Sequence, residues 1–353
     1  MLQKHVVFLC RNKLSLNIRK YPFPQLTESG LSIVDWRLIK GMKPPTTEQE
    51  WLAEFEKYKY FPEYHMKNGL SAESMTLEEF KFIFYMEYVH RMWGRFIGLA
   101  YLLPAGFFWY KGWFEKSMKK RVTFAGSLLI FQGLLGWYMV KSGLDPSNNS
   151  ESEVARVSHY RLASHLTTAF VLYTVLLWSG LSHLVRPINY DKIPKIGALR
   201  GMTHFAKTGL LATAVYGAFV AGLDAGLVHG TWPKYTGRWI PTDIWSPGMG
   251  WRNLTENPTT VQFIHRNLAY ISVAAVTGIW LLGRRIPLAA RTKNLLRAAT
   301  IVSYAQVIIG IAALIHDIPV YVAALHQNNF MIVLSLIFWF AHDIRRFPIK
   351  FLR

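Results

Sequence analysis

The chain has 353 residues, of which 51% are hydrophobic and 15% aromatic, while only 17% are charged, below the roughly one quarter usual in soluble domains. That apolar content excludes a disordered chain. The single cysteine, Cys10, excludes an intrachain disulfide framework, a Cys-ligated zinc site and a protein-bound iron–sulfur cluster. The formal net charge of +19 would suit a nucleic-acid binder only if the Lys and Arg clustered on one folded face. They stand instead in short runs between long apolar stretches, the pattern of a polytopic membrane protein and not of a nucleic-acid partner.

Residues 1–25 hold one short apolar run, HVVFLC, and five Lys or Arg with no acid before Glu28, a composition that suits a mitochondrial presequence. The segment 32–81, with Trp36, Trp51 and Pro44-Pro45, is expected to fold as an outer loop over the first functional site, with a partner surface as the alternative. A membrane core needs about 20 mostly apolar residues in helical form. Seven stretches meet this, at 82–110, 122–141, 160–184, 200–223, 262–282, 296–316 and 321–341. Stretches such as FIGLAYLLPAGFFWY and ISVAAVTGIWLLG are apolar all round, without the polar face of a soluble helix.

The connections set orientation. Those at 111–121, 185–200 and 283–297, with the tail from Arg345, carry eighteen Lys and Arg, from Lys111 to Arg353. The opposite connections hold only Arg156, Lys234, Arg238 and Arg252. The positive-inside rule makes the rich face cytoplasmic, or matrix in a mitochondrion.

The chain also repeats itself. EYVHRMWGRFIGLAYLL at 87 matches QFIHRNLAYISVAAVTG at 262, and FQGLLGWYMV at 131 matches AQVIIGIAAL at 305. RLASHLTTAFVLYTVLLW at 161 matches VAALHQNNFMIVLSLIFW at 322, and QLTESGLSIVDW at 25 matches GLDAGLVHGTW at 222. The order is kept, so the halves are parallel repeats of four helices each. The helix at 200–223 should have a counterpart before Leu26, and residues 1–25 do not supply one. The expected fold is all-α: two parallel-repeat four-helix bundles, 26–184 and 185–353, with seven spans recognisable and the first missing.

Ionisable groups within a span cost about 2.5–3.5 kcal/mol on insertion scales and so mark functional sites. His90, His165, His265 and His326 each fall near the start of a span and repeat in register. His90 pairs with His165 in the first half and His265 with His326 in the second. Two imidazoles on facing helices suit the axial positions of a heme. Zinc would need a third or fourth ligand, and no further His or Cys lies at that depth. His159 has no counterpart in the repeat. His5, His65, His183, His204, His229, His316 and His342 have none either and read as surface or interface residues. Glu87 stands one turn before His90, where the second half has Gln262. That difference points to a reacting first half and a permanent cofactor in the second, against the plainer reading of a Glu paired with Arg91 or Arg95. Arg91 and Arg266 follow the histidines and are candidates for pairing with heme propionates.

EYVHRMWGR, FQGLLGWYMVKSGL, RLASHLTTA, AGLDAGLV, ENPTTVQFIHRNL and ALHQ together resemble the heme A synthase family, in particular its mitochondrial branch of cytochrome oxidase assembly factors. The resemblance runs from about Leu26 to the C-terminus. It implies eight spans in two halves and an enzyme that oxidises a ring methyl of heme O to a formyl group by successive hydroxylations. It also implies heme b on His265 and His326, with Arg266 beside it, and the substrate heme between His90 and His165, with Arg91 beside it. Glu87 falls on the family's essential glutamate. The implied setting is the mitochondrial inner membrane, with the histidines toward the intermembrane space. Implied partners are membrane lipid, an electron donor such as a ferredoxin, heme O synthase or oxidase assembly factors, and room for a homo-oligomer. The chain departs from the family in lacking the first helix, and it also lacks the outer-loop cysteine pair of many bacterial members. Two other classes compete: a bis-histidine cytochrome that only passes electrons, and a carrier that releases heme unchanged.

Overall fold

A computed structural model describes residues 30–33, 35, 43–61, 63–65, 75–144 and 157–346. The basic segment 1–25 and Trp36 lie outside the described residues. Apart from one bridge between Tyr235 and Arg238, the regular structure among the described residues is helical.

A short helix α1 (Glu48–Lys59) precedes α2 (Leu77–Tyr110), α3 (Lys116–Gly143) and α4 (His159–Leu184). The second half contains α5 (Ile196–Gly222), α6 (Pro258–Gly283), α7 (Ala290–Ile315) and α8 (Val320–Asp343). Local sequence sets several starts. Thr47 with Glu50, and Thr76 with Glu79, close capping boxes at α1 and α2, satisfying amides that have no helical partner. At α6 the Asn257 side chain accepts from the Thr259 and Thr260 amides, and Pro258 takes the first helical position, where its missing N–H costs nothing.

Six helices, α3 to α8, are long and apolar enough to cross a membrane. The seventh expected span lies inside α2, which differs in character. Its 34 residues extend about 51 Å at the helical rise, and it begins at Leu77, outside the stretch expected from 82. The capping box and the amphipathic turns after it continue the helix beyond the apolar run. Glu87, Arg91 and Arg95, then Trp93, Tyr101, Pro104 and Trp109, dilute its apolar character. The outer segment docks on this extension: Phe55 stacks on Phe80 at 4.9 Å and Trp51 meets Phe84 edge-on at 5.0 Å. Such aromatic pairs contribute about 0.5–1.5 kcal/mol each beyond burial.

The second half is the better packed. Leu199, Ile279, Leu296, Leu334, Ile337 and Phe340 meet where α5 to α8 converge, each almost fully buried. The closest helix pairings are α5 with α6 and α7 with α8, whereas α2 rests sparsely on α3 and leaves Val89, Trp93, Phe96 and Leu103 exposed.

A buried polar knot closes the cation-rich end. Asp343, 2% exposed, accepts from Arg291 Nη2 at 2.7 Å, Arg291 Nε at 3.1 Å and Thr292 at 2.7 Å. Thr292 shares a hydrogen bond with Tyr190 at 2.8 Å. The knot joins the end of α8 to the start of α7 and to the 185–195 connection. Beside it His342 is fully buried, 3.2 Å from Ser182 and 2.8 Å from Arg345, with Trp178 edge-on at 5.0 Å. The reading of His342 as a surface or interface residue is therefore corrected: its partners come from α4 and the turn after α8, which no single stretch of sequence displays. Asp343 is buried while the Arg291 side chain is 36% exposed, so water compensates part of a lost partner. Asp343→Asn is expected to cost about 1–3 kcal/mol, measured as a lower unfolding midpoint in detergent; an unchanged midpoint would show that the pair holds nothing together.

Candidate functional site

Three of the four repeated histidines lie within two turns of a helix start: His165 in α4, His265 in α6 and His326 in α8. His90 lies deeper in α2 only because that helix starts further out. His90 and His165 are close enough for their charges to interact, and so are His265 and His326.

Each of three rings rests against a glycine of the neighbouring helix. A Cβ at Gly217 of α5 would stand 3.1 Å from Cε1 of His265; at Gly310 of α7, 2.7 Å from Cε1 of His326; at Gly136 of α3, 3.2 Å from Cε1 of His165. The missing Cβ lets the ring lie on the backbone and reach a group one turn away. Over Gly217, His265 Nδ1 comes to 3.0 Å from the Thr213 carbonyl. Over Gly310 stands Gln306, whose amide nitrogen is 3.2 and 3.3 Å from the two ring nitrogens of His326. Over Gly136 stands Gln132, which donates to the His165 carbonyl at 3.0 Å. These glycines and glutamines contact the histidines, and sequence reasoning passed over them. Their signal was present: QGLLG and QVIIG occupy equivalent places in the repeat.

Glu87 and Gln262 are both buried, 5% and 2% exposed, and both tie down the segment that precedes their half. Glu87 accepts from Ser32 Oγ at 2.7 Å and from the Ile33 amide at 2.8 Å, and pairs with Arg91. Gln262 instead donates to the carbonyls of His229 at 3.2 Å and Gly226 at 3.4 Å. The arginines follow the same plan. Arg91 donates to the carbonyls of Ile33 at 2.8 Å and Asp35 at 3.1 Å, and Arg266 to those of Pro233 at 2.8 Å and Thr231 at 3.2 Å. Both guanidinium groups thus hold backbone of the outer straps; the sequence offered them as candidates for heme propionates. Arg266 Nε is buried without a hydrogen-bond partner among the described residues, and this leaves it one donor. The Arg266 guanidinium also stacks 4.0 Å from the Tyr235 ring centre. Burial pushes the Tyr235 phenol up to about 12, against the pull of Arg266, so a neutral ring faces the cation.

The donor set fits heme. Each centre offers two imidazoles on different helices, three of the four seated on glycine, and no group of three or more His, Cys, Asp or Glu suited to a bare metal ion occurs among the described residues. Two imidazoles would suit the two axial positions of a heme and fall short of the three or four protein ligands of zinc.

The family model described as cytochrome oxidase assembly protein, COX15-CtaA, matches residues 23–338. This chain belongs to that family. It is 50% identical over 324 residues to the heme A synthase COX15 of Bos taurus, covering 92% of this chain and 77% of that protein. It is 49% identical over 324 residues to heme A synthase COX15 of Homo sapiens, covering 92% and 78%. A bacterial family member, heme A synthase of Rhodospirillum centenum, is 40% identical over 323 residues, covering 91% and 82%.

The glycine contacts rank the sites. A Cβ at 2.7 Å displaces a ring, whereas one at 3.2 Å asks for a few tenths of an ångström. Gly310→Ala is therefore expected to lower heme occupancy of the second half more than Gly136→Ala lowers that of the first. Heme per protein by pyridine hemochrome, measured in variants lacking the opposite pair, checks this; equal losses would discount the notch.

Proposed function

We propose that this chain is a heme A synthase of the mitochondrial inner membrane, oxidising a ring methyl of heme O to a formyl group through successive hydroxylations. The observation that carries the assignment of its halves is the unequal support of the two histidine pairs. In the second half His265 Nδ1 lies 3.0 Å from the Thr213 carbonyl, an acceptor for the ring N–H. In the first half His165 Nδ1 is buried with no hydrogen-bond partner among the described residues. Ligands of a permanent metal group are commonly oriented through their second nitrogen, so His265 and His326 suit the resident heme b. His90 and His165 suit a heme that enters and leaves. Heme b when bound supplies one-electron transfer, which protein side chains do not.

Glu87 lies one turn from His90 on α2, on the same helix face. Its carboxylate holds Ser32 and Ile33 over the first half and sets a negative charge beside the substrate site. It would stabilise positive charge developing at the reacting methyl carbon or take up a proton there. Arg91 keeps that carboxylate oriented. The electron donor, a ferredoxin in one reading, would reach the second half. The cation-rich connections would face the matrix by the positive-inside rule, and the histidines the intermembrane space.

Two variants test this in a host that makes heme O and lacks heme A, with extracted hemes separated by chromatography. Glu87→Gln is expected to lower heme A yield on the order of 100-fold while heme b stays bound; normal yield would remove Glu87 from the chemistry. His326→Ala is expected to lose heme b. If His90→Ala lost it instead, the halves would be reversed.

A further inference from the structure

Several cations at the cation-rich end already have a partner. Arg200 pairs with Asp191 at 2.6 Å, Arg291 with Asp343 at 2.7 Å, and Arg284 lies 4.9 Å over the Trp280 ring. Lys195 and Arg285 are exposed and have no ion-pair partner among the described residues. Both stand at the rim of one cleft of about 630 Å³, between the start of α5 and the end of α6. Gly278, Leu281, Leu282 and Ile286 form its apolar floor, and no acidic residue lines it. Its volume falls among the roughly 300–1,000 Å³ of pockets that enclose a ligand, and Leu281, 42% exposed, opens it toward the surrounding lipid.

The rim is fixed from inside the protein. Tyr190, 2% exposed, joins the two connections that form it: its hydroxyl accepts from the Ala289 amide at 3.2 Å and shares a hydrogen bond with Thr292 at 2.8 Å. Lys195 itself breaks three local rules. It is the N-cap of α5, makes no side-chain cap bond and has φ 64°. Ser, Thr, Asp or Asn is preferred at that position, a cation is unfavourable at the positive end of a helix, and a left-handed backbone favours glycine. Such breaches gather where function requires them. An anion at this point offsets the two that are electrostatic.

We propose that this cleft binds an anionic phospholipid from the leaflet at the cation-rich end, its phosphate met by Lys195 and Arg285 and one acyl chain lying along Leu281 and Leu282. Basic pockets between membrane helices on that side suit anionic head groups. The apolar floor selects a lipid over a soluble anion, since free phosphate gains nothing from Leu281 or Leu282. The bound lipid clamps together the ends of α5 and α6, the two helices that carry Gly217 and His265 further along.

Native mass spectrometry of the full-length chain in a nonionic detergent, titrated with dioleoylphosphatidylglycerol, reads the binding; dioleoylphosphatidylcholine is the neutral comparison. The anionic lipid is expected to be retained over the neutral one. Lys195→Gln and Arg285→Gln are each expected to weaken its binding about fivefold. Leu281→Trp, which fills the floor and keeps both charges, is expected to weaken it too. Lys120→Gln removes one exposed cation of the same face outside the cleft and is expected to leave binding unchanged. Lys195→Gly relieves the left-handed backbone while removing the charge, so it should lose lipid with its lipid-free unfolding midpoint kept or raised, which separates lost binding from misfolding. An equal loss in Lys120→Gln would show diffuse attraction to the whole face. Equal retention of phosphatidylcholine would show no head-group recognition, and displacement by millimolar inorganic phosphate, or unchanged binding in Leu281→Trp, would show an anion site without a lipid. Each of these results would overturn the proposal.

Discussion

Everything at the candidate centres depends on imidazole rings lying directly on the backbone of the next helix. Gly136, Gly217 and Gly310 supply that contact on three different helices, and at Gly310 a Cβ would come within 2.7 Å of the ring. A membrane bundle has no hydrophobic gain from bringing helices together, because lipid is as apolar as leucine, and close approach through small residues takes its place. Here the small residue serves a second purpose. It brings the ring to the helix surface one turn from a polar group, so the depth and facing of each ligand follow from helix packing rather than from a flexible loop.

On that shared frame the halves have diverged in polarity. Glu87 accepts from an amide and a hydroxyl where Gln262 donates to two carbonyls, and in both cases the partner is the strap over that half. Arg91 and Arg266 repeat the plan with carbonyls two residues apart in each strap. A neutral amide pin over the second half and an ion pair over the first achieve similar closure. Only the first leaves a carboxylate beside its histidine, and that is the half where chemistry on a porphyrin edge is proposed.

Much of this was legible in the chain. The spans were, because six apolar runs are long enough to be unmistakable; the histidines were, because four of them repeat in register. The limits have physical causes. α2 starts at Leu77 because a capping box at Thr76 and Glu79 extends the helix beyond its apolar run, and hydropathy does not register a cap. His342 reads as an unpartnered residue near a helix end, yet Ser182 and Arg345 meet it only after α4 and α8 pack. Gln132 and Gln306 were inside the quoted repeats. A glutamine in an apolar helix says only that a partner exists, and the residue that meets Gln306, Asn329, lies on another helix.

The two histidine pairs also differ in what stands behind their rings. His265 Nδ1 lies 3.0 Å from the Thr213 carbonyl, whereas His165 Nδ1 has no hydrogen-bond partner among the described residues. A ring whose orientation is set beforehand loses less freedom on ligating a metal. Under the proposed reading the second pair therefore suits a resident heme and the first a heme that exchanges.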